Sequence, residues 1–172
     1  MPRGRIVWSR LAMAADEVVI DHPNRRKAAS KVTRLLVVVL LVVSAVLVAI
    51  VTIGGWDELE GAKALQVAYI VLYVLMAVLV ARWNRGVLPV AAALAIIMLI
   101  FAAIAGPAWF ERDKEGFAQT GLDASVLGLV TLLIVPVQAL LILAAMSGFR
   151  QAWNVEVERQ PEARPRAVPQ TG

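Results

Sequence analysis

Four unbroken apolar runs, residues 32–53, 65–81, 87–105 and 122–149, leave this 172-residue chain few ways to fold. A bilayer hydrocarbon core of about 30 Å is crossed by about 20 helical residues, and each run is near or beyond that length. Between Leu35 and Val51, 14 of 17 residues are Leu, Val or Ile. At about −0.3 to −0.6 kcal/mol per residue, that segment alone favours insertion by several kcal/mol. Hydrophobic residues form 60% of the chain, against about 45–50% in a soluble domain, so too little polar sequence remains to cover the runs in water. Hydrocarbon gives the backbone no hydrogen-bond partner, which makes the spans helical despite the β-branched bias of the first run. Neither the alternation nor the turn signals of a sheet interrupt them. The fold class expected is an all-α integral membrane protein with four transmembrane helices in an antiparallel bundle. The transmembrane domain covers 32–153, between a basic amino-terminal tail (1–31) and a disordered carboxy-terminal tail (154–172).

Trp56, Trp83, Trp109 and Trp153 each stand a few residues past the end of one run. Indole combines a flat apolar body with one N–H and favours the headgroup level, so these four read as membrane-interface anchors.

Charge placement gives the orientation. The two tails, with Arg34 at the edge of the first run, and the loop between the second and third runs hold 14 of the 17 basic residues. The loops after the first and third runs hold only Lys63, Arg112 and Lys114, beside six acidic residues and Asp123 at the edge of the fourth run. The positive-inside rule puts both termini in the cytoplasm. The formal net charge of +4 thus reports topology rather than nucleic-acid binding. Helical spans with short loops suit a plasma (inner) membrane, and an Arg-, Ala- and Val-rich composition is compatible with a bacterial source. The first helix begins beyond a long charged segment and reads as an uncleaved signal anchor.

Arg25, Arg26, Lys27, Lys31 and Arg34 form a juxtamembrane basic cluster suited to anionic lipid contact. Upstream, Trp8, Leu11, Ala12, Ala15, Val18 and Val19 recur at helical spacing, as in a short interfacial helix. Gly54-Gly55 stops the first helix. The short turn Arg82-Trp83-Asn84-Arg85 predicts that the second and third helices are neighbours. Gly106-Pro107 predicts the end of the third helix, and Thr120 with Asp123 matches a capping box opening the fourth. The fourth run is longer than a perpendicular span needs, which implies tilt, a kink or projection beyond the bilayer.

No Asp, Glu, Lys, Arg or His lies deep within the runs; Arg34 and Asp123 stand at their ends. Proton relays and ion-coupled exchange depend on an ionisable group at depth. Small multidrug-resistance exporters also have four helices, but that family carries a membrane-embedded glutamate that the first run here lacks. The chain has no cysteine and one histidine, His22 in the tail, which removes thiolate and multi-histidine metal sites. No intramembrane catalytic motif is present, so neither an enzyme nor a cofactor is expected.

The polar inventory at depth is small. Gln138 stands near the middle of the fourth run, two residues after the helix-disturbing Pro136. It is suited to an interhelical bond or to lining a pathway, as are Tyr69 and Tyr73 on one face of the second run. Ala91, Ala95, Ala102 and Gly106 form a small-residue seam on the third. The leading expectation is a non-enzymatic tetraspan accessory, scaffold or assembly subunit, acting with the lipid bilayer and as a homo-oligomer or within a larger membrane complex. The alternative is a small homo-oligomeric channel or carrier for a neutral or apolar solute. Because the chain has no cysteine, orientation is testable by single-cysteine labelling. Lys114→Cys should react with an impermeant maleimide in intact cells, and Arg85→Cys only after permeabilisation.

Overall fold

A computed structural model describes residues 19–21, 23–59, 61–114, 116, 120–153 and 155–159. Among the described residues the fold is helical apart from one small ladder. Its long helices are α1 (Ala28–Gly54), α2 (Lys63–Ala81), α3 (Val87–Glu111) and α4 (Ala124–Arg150), all four long and apolar enough to cross a membrane. A single turn, Pro23–Arg26, precedes α1, and a 3₁₀ turn, Trp56–Glu58, follows it. Large apolar side chains such as Leu35, Val71, Ile104 and Leu129 stay exposed along the outer faces, as lipid-solvated helices require.

Packing links the helices in the order α2, α1, α4, α3. α3 packs most extensively on α4, α1 packs on both α2 and α4, and α2 and α3 touch little. The short connection had implied that α2 and α3 would pack side by side. Instead they diverge from their shared turn and face each other across a gap, because each packs on another helix. α3 presents Ala91, Ala95, Ala102 and Gly106, all buried, and its contacts are mainly with α4. The small-residue seam thus lies inside the chain. A Cβ on Gly106 would fall 2.5 Å from Leu132 Cδ2, so α3 and α4 approach as closely as glycine allows.

Helix limits differ from expectation in instructive places. α1 starts at Ala28 rather than residue 32, because Ala28, Ala29 and Lys31 continue the helix and Ser30 is buried against the bundle. α2 starts at Lys63 rather than residue 65. α3 runs through Pro107 to Glu111, past the expected stop at 105. Proline removes one backbone donor, a loss that spanning helices tolerate. Here the extra turn is held by packing: Trp109 lies over Gly55, and Phe110 lies over Gly128. α4 starts at Ala124 rather than residue 122, because the Leu122 N–H donates to Gly54 O (3.2 Å), holding the approach to α4 out of the helix. Asp123 occupies the N-cap without a side-chain bond to the helix, and the Thr120 hydroxyl donates to Leu122 O, so the capping box does not form.

The tails also meet. Strand β1 (Val19–Asp21) pairs antiparallel with β2 (Val157–Arg159), Ile20 opposite Glu158. The carboxy-terminal tail, expected to be disordered throughout, is therefore ordered over these three residues. A ladder this short is marginal alone. The other residues proposed for an interfacial helix, Trp8 to Val18, lie outside the described residues, and Val19 is in β1.

α2 ends in a Schellman motif. The Trp83 N–H bonds Val80 O (2.9 Å) and the Asn84 N–H bonds Leu79 O (3.1 Å), with Trp83 itself at φ 64°. Glycine normally fills that position, since a left-handed backbone costs an L-residue about 1–2 kcal/mol. Tryptophan holds it because its ring meets Trp153 edge-to-face at 5.5 Å. Trp153 is fully buried, and its own approach passes through a second left-handed residue, Ala152 (φ 48°). Trp153→Ala should therefore lower stability by about 3–5 kcal/mol, measured as the unfolding midpoint in mixed dodecylmaltoside–SDS micelles.

Candidate functional site

A polar clasp joins three helices at mid-depth. The Tyr73 hydroxyl on α2 donates to Gln138 Oε1 on α4 (3.0 Å). Gln138 Nε2 donates to Ser44 Oγ on α1 (3.0 Å), and the Ser44 hydroxyl donates to Leu40 O (2.7 Å). All three side chains are fully buried. A buried amide costs free energy when unpaired, and here donor follows donor until the chain ends on a backbone carbonyl. Sequence pattern singled out Gln138 and Tyr73; the structure brings them together and adds Ser44. Ser44 is the one polar residue between Leu35 and Val51, which is the signal that could have found it. Pro136 is not part of the clasp: it faces outward and is exposed.

A second polar contact ties α1 to α2 one helical segment away. Thr52 Oγ1 lies 2.6 Å from Val48 O and 2.5 Å from Gln66 Oε1. The Thr52 hydroxyl is shared between the two acceptors, Val48 O on its own helix and Gln66 Oε1 on α2.

At the end where Trp83 and Trp153 meet, arginines close the helices. Arg34 Nη1 donates to Ala81 O (3.0 Å), and its guanidinium lies 4.3 Å from the Trp83 ring centroid. Arg25 Nε donates to Trp153 O (3.3 Å). Arg85 Nε donates to Phe149 O (2.8 Å) and covers the Phe149 ring at 4.3 Å. Ala81 and Phe149 are among the last carbonyls of α2 and α4, where cations complement the helix dipole. Gln151 bridges further: Nε2 donates to Thr33 Oγ1 (2.8 Å), and Oε1 accepts from Trp153 Nε1 (3.0 Å). Of the five basic residues read as lipid contacts, Arg25 and Arg34 thus reach protein carbonyls and aromatic faces, while Arg26, Lys27 and Lys31 are exposed at the start of α1.

At the opposite end, Trp109 is 6% exposed while Trp56 is 46% exposed. Lys63 covers the Trp56 ring at 5.0 Å, Arg112 lies 5.7 Å from the Trp109 ring, and Arg112 pairs with Glu58. Among the four tryptophans, then, Trp56 presents the most surface and Trp153 none.

Where α2 and α3 diverge, a cavity of about 500 Å³ opens between them. α1 and α4 form its floor with Val48, Val51, Thr131 and Ile134; Tyr69, Met98, Phe101, Ala102 and Trp109 form its walls. Its lining stays within the half of the bundle near Trp109 and does not reach the clasp. Thr131 spends its hydroxyl on Leu127 O (2.7 Å). Tyr69, 4% exposed, has a ring contact with Tyr73 at 5.7 Å, but its hydroxyl has no hydrogen bond among the described residues. No buried side-chain nitrogen or oxygen among those residues lacks a partner, so the Tyr69 oxygen opens to the cavity. A shallow polar cleft lined by Asp57, Glu58 and Arg112 adjoins it across Leu59 and Ala62.

No protein-family model, curated protein or solved structure matches the chain. The residues themselves carry the functional argument.

Removing parts of the clasp should be graded. Tyr73→Phe deletes one donor and should cost about 0.6–2 kcal/mol. Gln138→Leu removes both interhelical bonds, leaves the buried Tyr73 hydroxyl without its acceptor while Ser44 keeps Leu40 O, and should cost more, about 1–3 kcal/mol. Both are read as shifts in the mixed-micelle unfolding midpoint.

Proposed function

We propose that the chain is a non-enzymatic tetraspan protein of the plasma membrane, an accessory or assembly subunit that acts through helix packing. The sealed clasp carries this reading. Gln138, the deepest polar group, is fully buried and bonded on both sides by Tyr73 and Ser44. A solute pathway along it would have to break those bonds. The cavity between α2 and α3 is apolar and confined to one half of the bundle, so it gives a channel or carrier reading no continuous route.

The bundle is antiparallel in this reading, with both termini cytoplasmic. Contacts that support it run in opposite order along paired helices: Thr33 with Gly148, Ser44 with Gln138, and Gly54 with Leu127 for α1 and α4. For α1 and α2 they join Thr52 to Gln66 and Arg34 to Ala81. The charge asymmetry supports the orientation: the Arg34–Trp83–Trp153 end carries the tails and their arginines.

Proteoliposomes holding the purified chain should pass neutral solutes no faster than empty liposomes, and mild-detergent purification should recover either a stoichiometric partner or a self-associated form. Flux in the wild type that Gln138→Leu abolishes would favour the carrier instead.

A further inference from the structure

The cavity between α2 and α3 combines three features that belong together. It is apolar at depth, it carries hydrogen-bond donors near its mouth, and a charged cleft stands outside that mouth. Gln66 and Tyr69 lie one turn apart on one face of α2, and both line the cavity. Helical side chains lean toward the helix amino terminus, which here is the mouth, so the Tyr69 hydroxyl reaches toward the level of Gln66. The Tyr69 hydroxyl has no hydrogen bond among the described residues, and Gln66, whose Oε1 meets Thr52 Oγ1, keeps its NH₂ to donate. Two donors in an apolar wall call for an acceptor oxygen that arrives attached to hydrocarbon.

The adjoining cleft adds the other half of an amphiphile. Arg112, paired with Glu58, keeps further guanidinium N–H donors, Asp57 adds a carboxylate, and the rim residues Leu59 and Ala62 belong to both spaces. That mixture of charge matches a head group bearing both signs rather than a purely anionic one. The volume, about 500 Å³, lies within the range of about 300–1,000 Å³ usual for ligand sites. Exposed Leu65, Phe101 and Ile104 border the opening on its lipid side, so entry is lateral, from the bilayer.

We propose that the gap between α2 and α3 is a binding site for one zwitterionic glycerophospholipid. One acyl chain fills the cavity, an ester carbonyl accepts from Tyr69 and Gln66, and the ammonium and phosphate sit over Asp57, Glu58 and Arg112. This requires only that the helices lie in a bilayer and is independent of the accessory role, so failure of the lipid test leaves that role standing.

The test uses the full chain reconstituted with equimolar ester-linked and ether-linked phosphatidylethanolamine, followed by native mass spectrometry. Ether lipids keep the chains and the head group but lack the carbonyl. The wild type should retain one lipid per chain, with the ester form favoured about three- to tenfold, as expected for one to two hydrogen bonds. Tyr69→Phe, which removes only a hydroxyl, should erase most of that preference. Ala102→Trp, which fills the cavity, should lower lipid occupancy about tenfold while leaving Trp83 and Trp153 in place; Tyr69→Phe keeps the proposal testable should that variant misfold. Equal retention of ester and ether forms by the wild type would overturn it. So would retention of phosphatidylglycerol in preference to phosphatidylethanolamine, or a lipid-free dimer whose second copy covers the α2–α3 gap.

Discussion

Hydrocarbon neither accepts nor donates a hydrogen bond, and every prominent feature of this chain answers that fact. The backbone answers with four helices. The few side chains that are both polar and deep answer by pairing: Thr52 with Gln66, Thr131 with its own helix, and Tyr73, Gln138 and Ser44 with one another. In water such bonds would compete with solvent. Between lipid-facing helices they also have a directional role. Apolar faces can slide past one another at little cost, whereas a Gln138 displaced by one turn would lose Ser44 and Tyr73 together. The clasp sets register where packing alone leaves it loose.

The ends are governed by different chemistry. At the Trp83–Trp153 end, arginines bond the terminal carbonyls of α2 and α4 and lie against aromatic rings. Basic residues that sequence reading assigns to orientation thereby also complete the helices they flank. The two left-handed residues, Trp83 and Ala152, stand at this end, and the buried edge-to-face pair supplies the packing that offsets their backbone cost. At the other end, Gly55 admits the Trp109 ring and Gly128 admits Phe110, which prolongs α3 through a proline.

The four spans were legible in the sequence because length and apolarity are local properties. Gln138 and Tyr73 stood out for the same reason, being rare polar residues in greasy runs. Partnership was not legible. Nothing local in Ser44 indicates which helix will offer it an amide, and the turn at Arg82–Arg85 gave no warning that α2 and α3 would diverge. The stop expected at Gly106-Pro107 failed because Trp109 and Phe110, past the break, found glycines on other helices. The expected capping box at Thr120 and Asp123 failed because Leu122 was held by Gly54. In each case a contact distant in sequence outweighed a local signal, and the cavity, a product of that divergence, has no local signature at all.

The uneven distribution of contact bears on how the chain assembles. α1 with α2, and α3 with α4, form two pairs of sequence-adjacent helices that each hold much of their packing internally. An insertion machinery releasing helices two at a time could therefore deliver each pair nearly finished. Docking of the pairs then falls to the α1–α4 face, where the Gln138 amide reaches Ser44 on one pair and accepts from Tyr73 of the same pair, so that one side chain from the later half engages both helices of the earlier one.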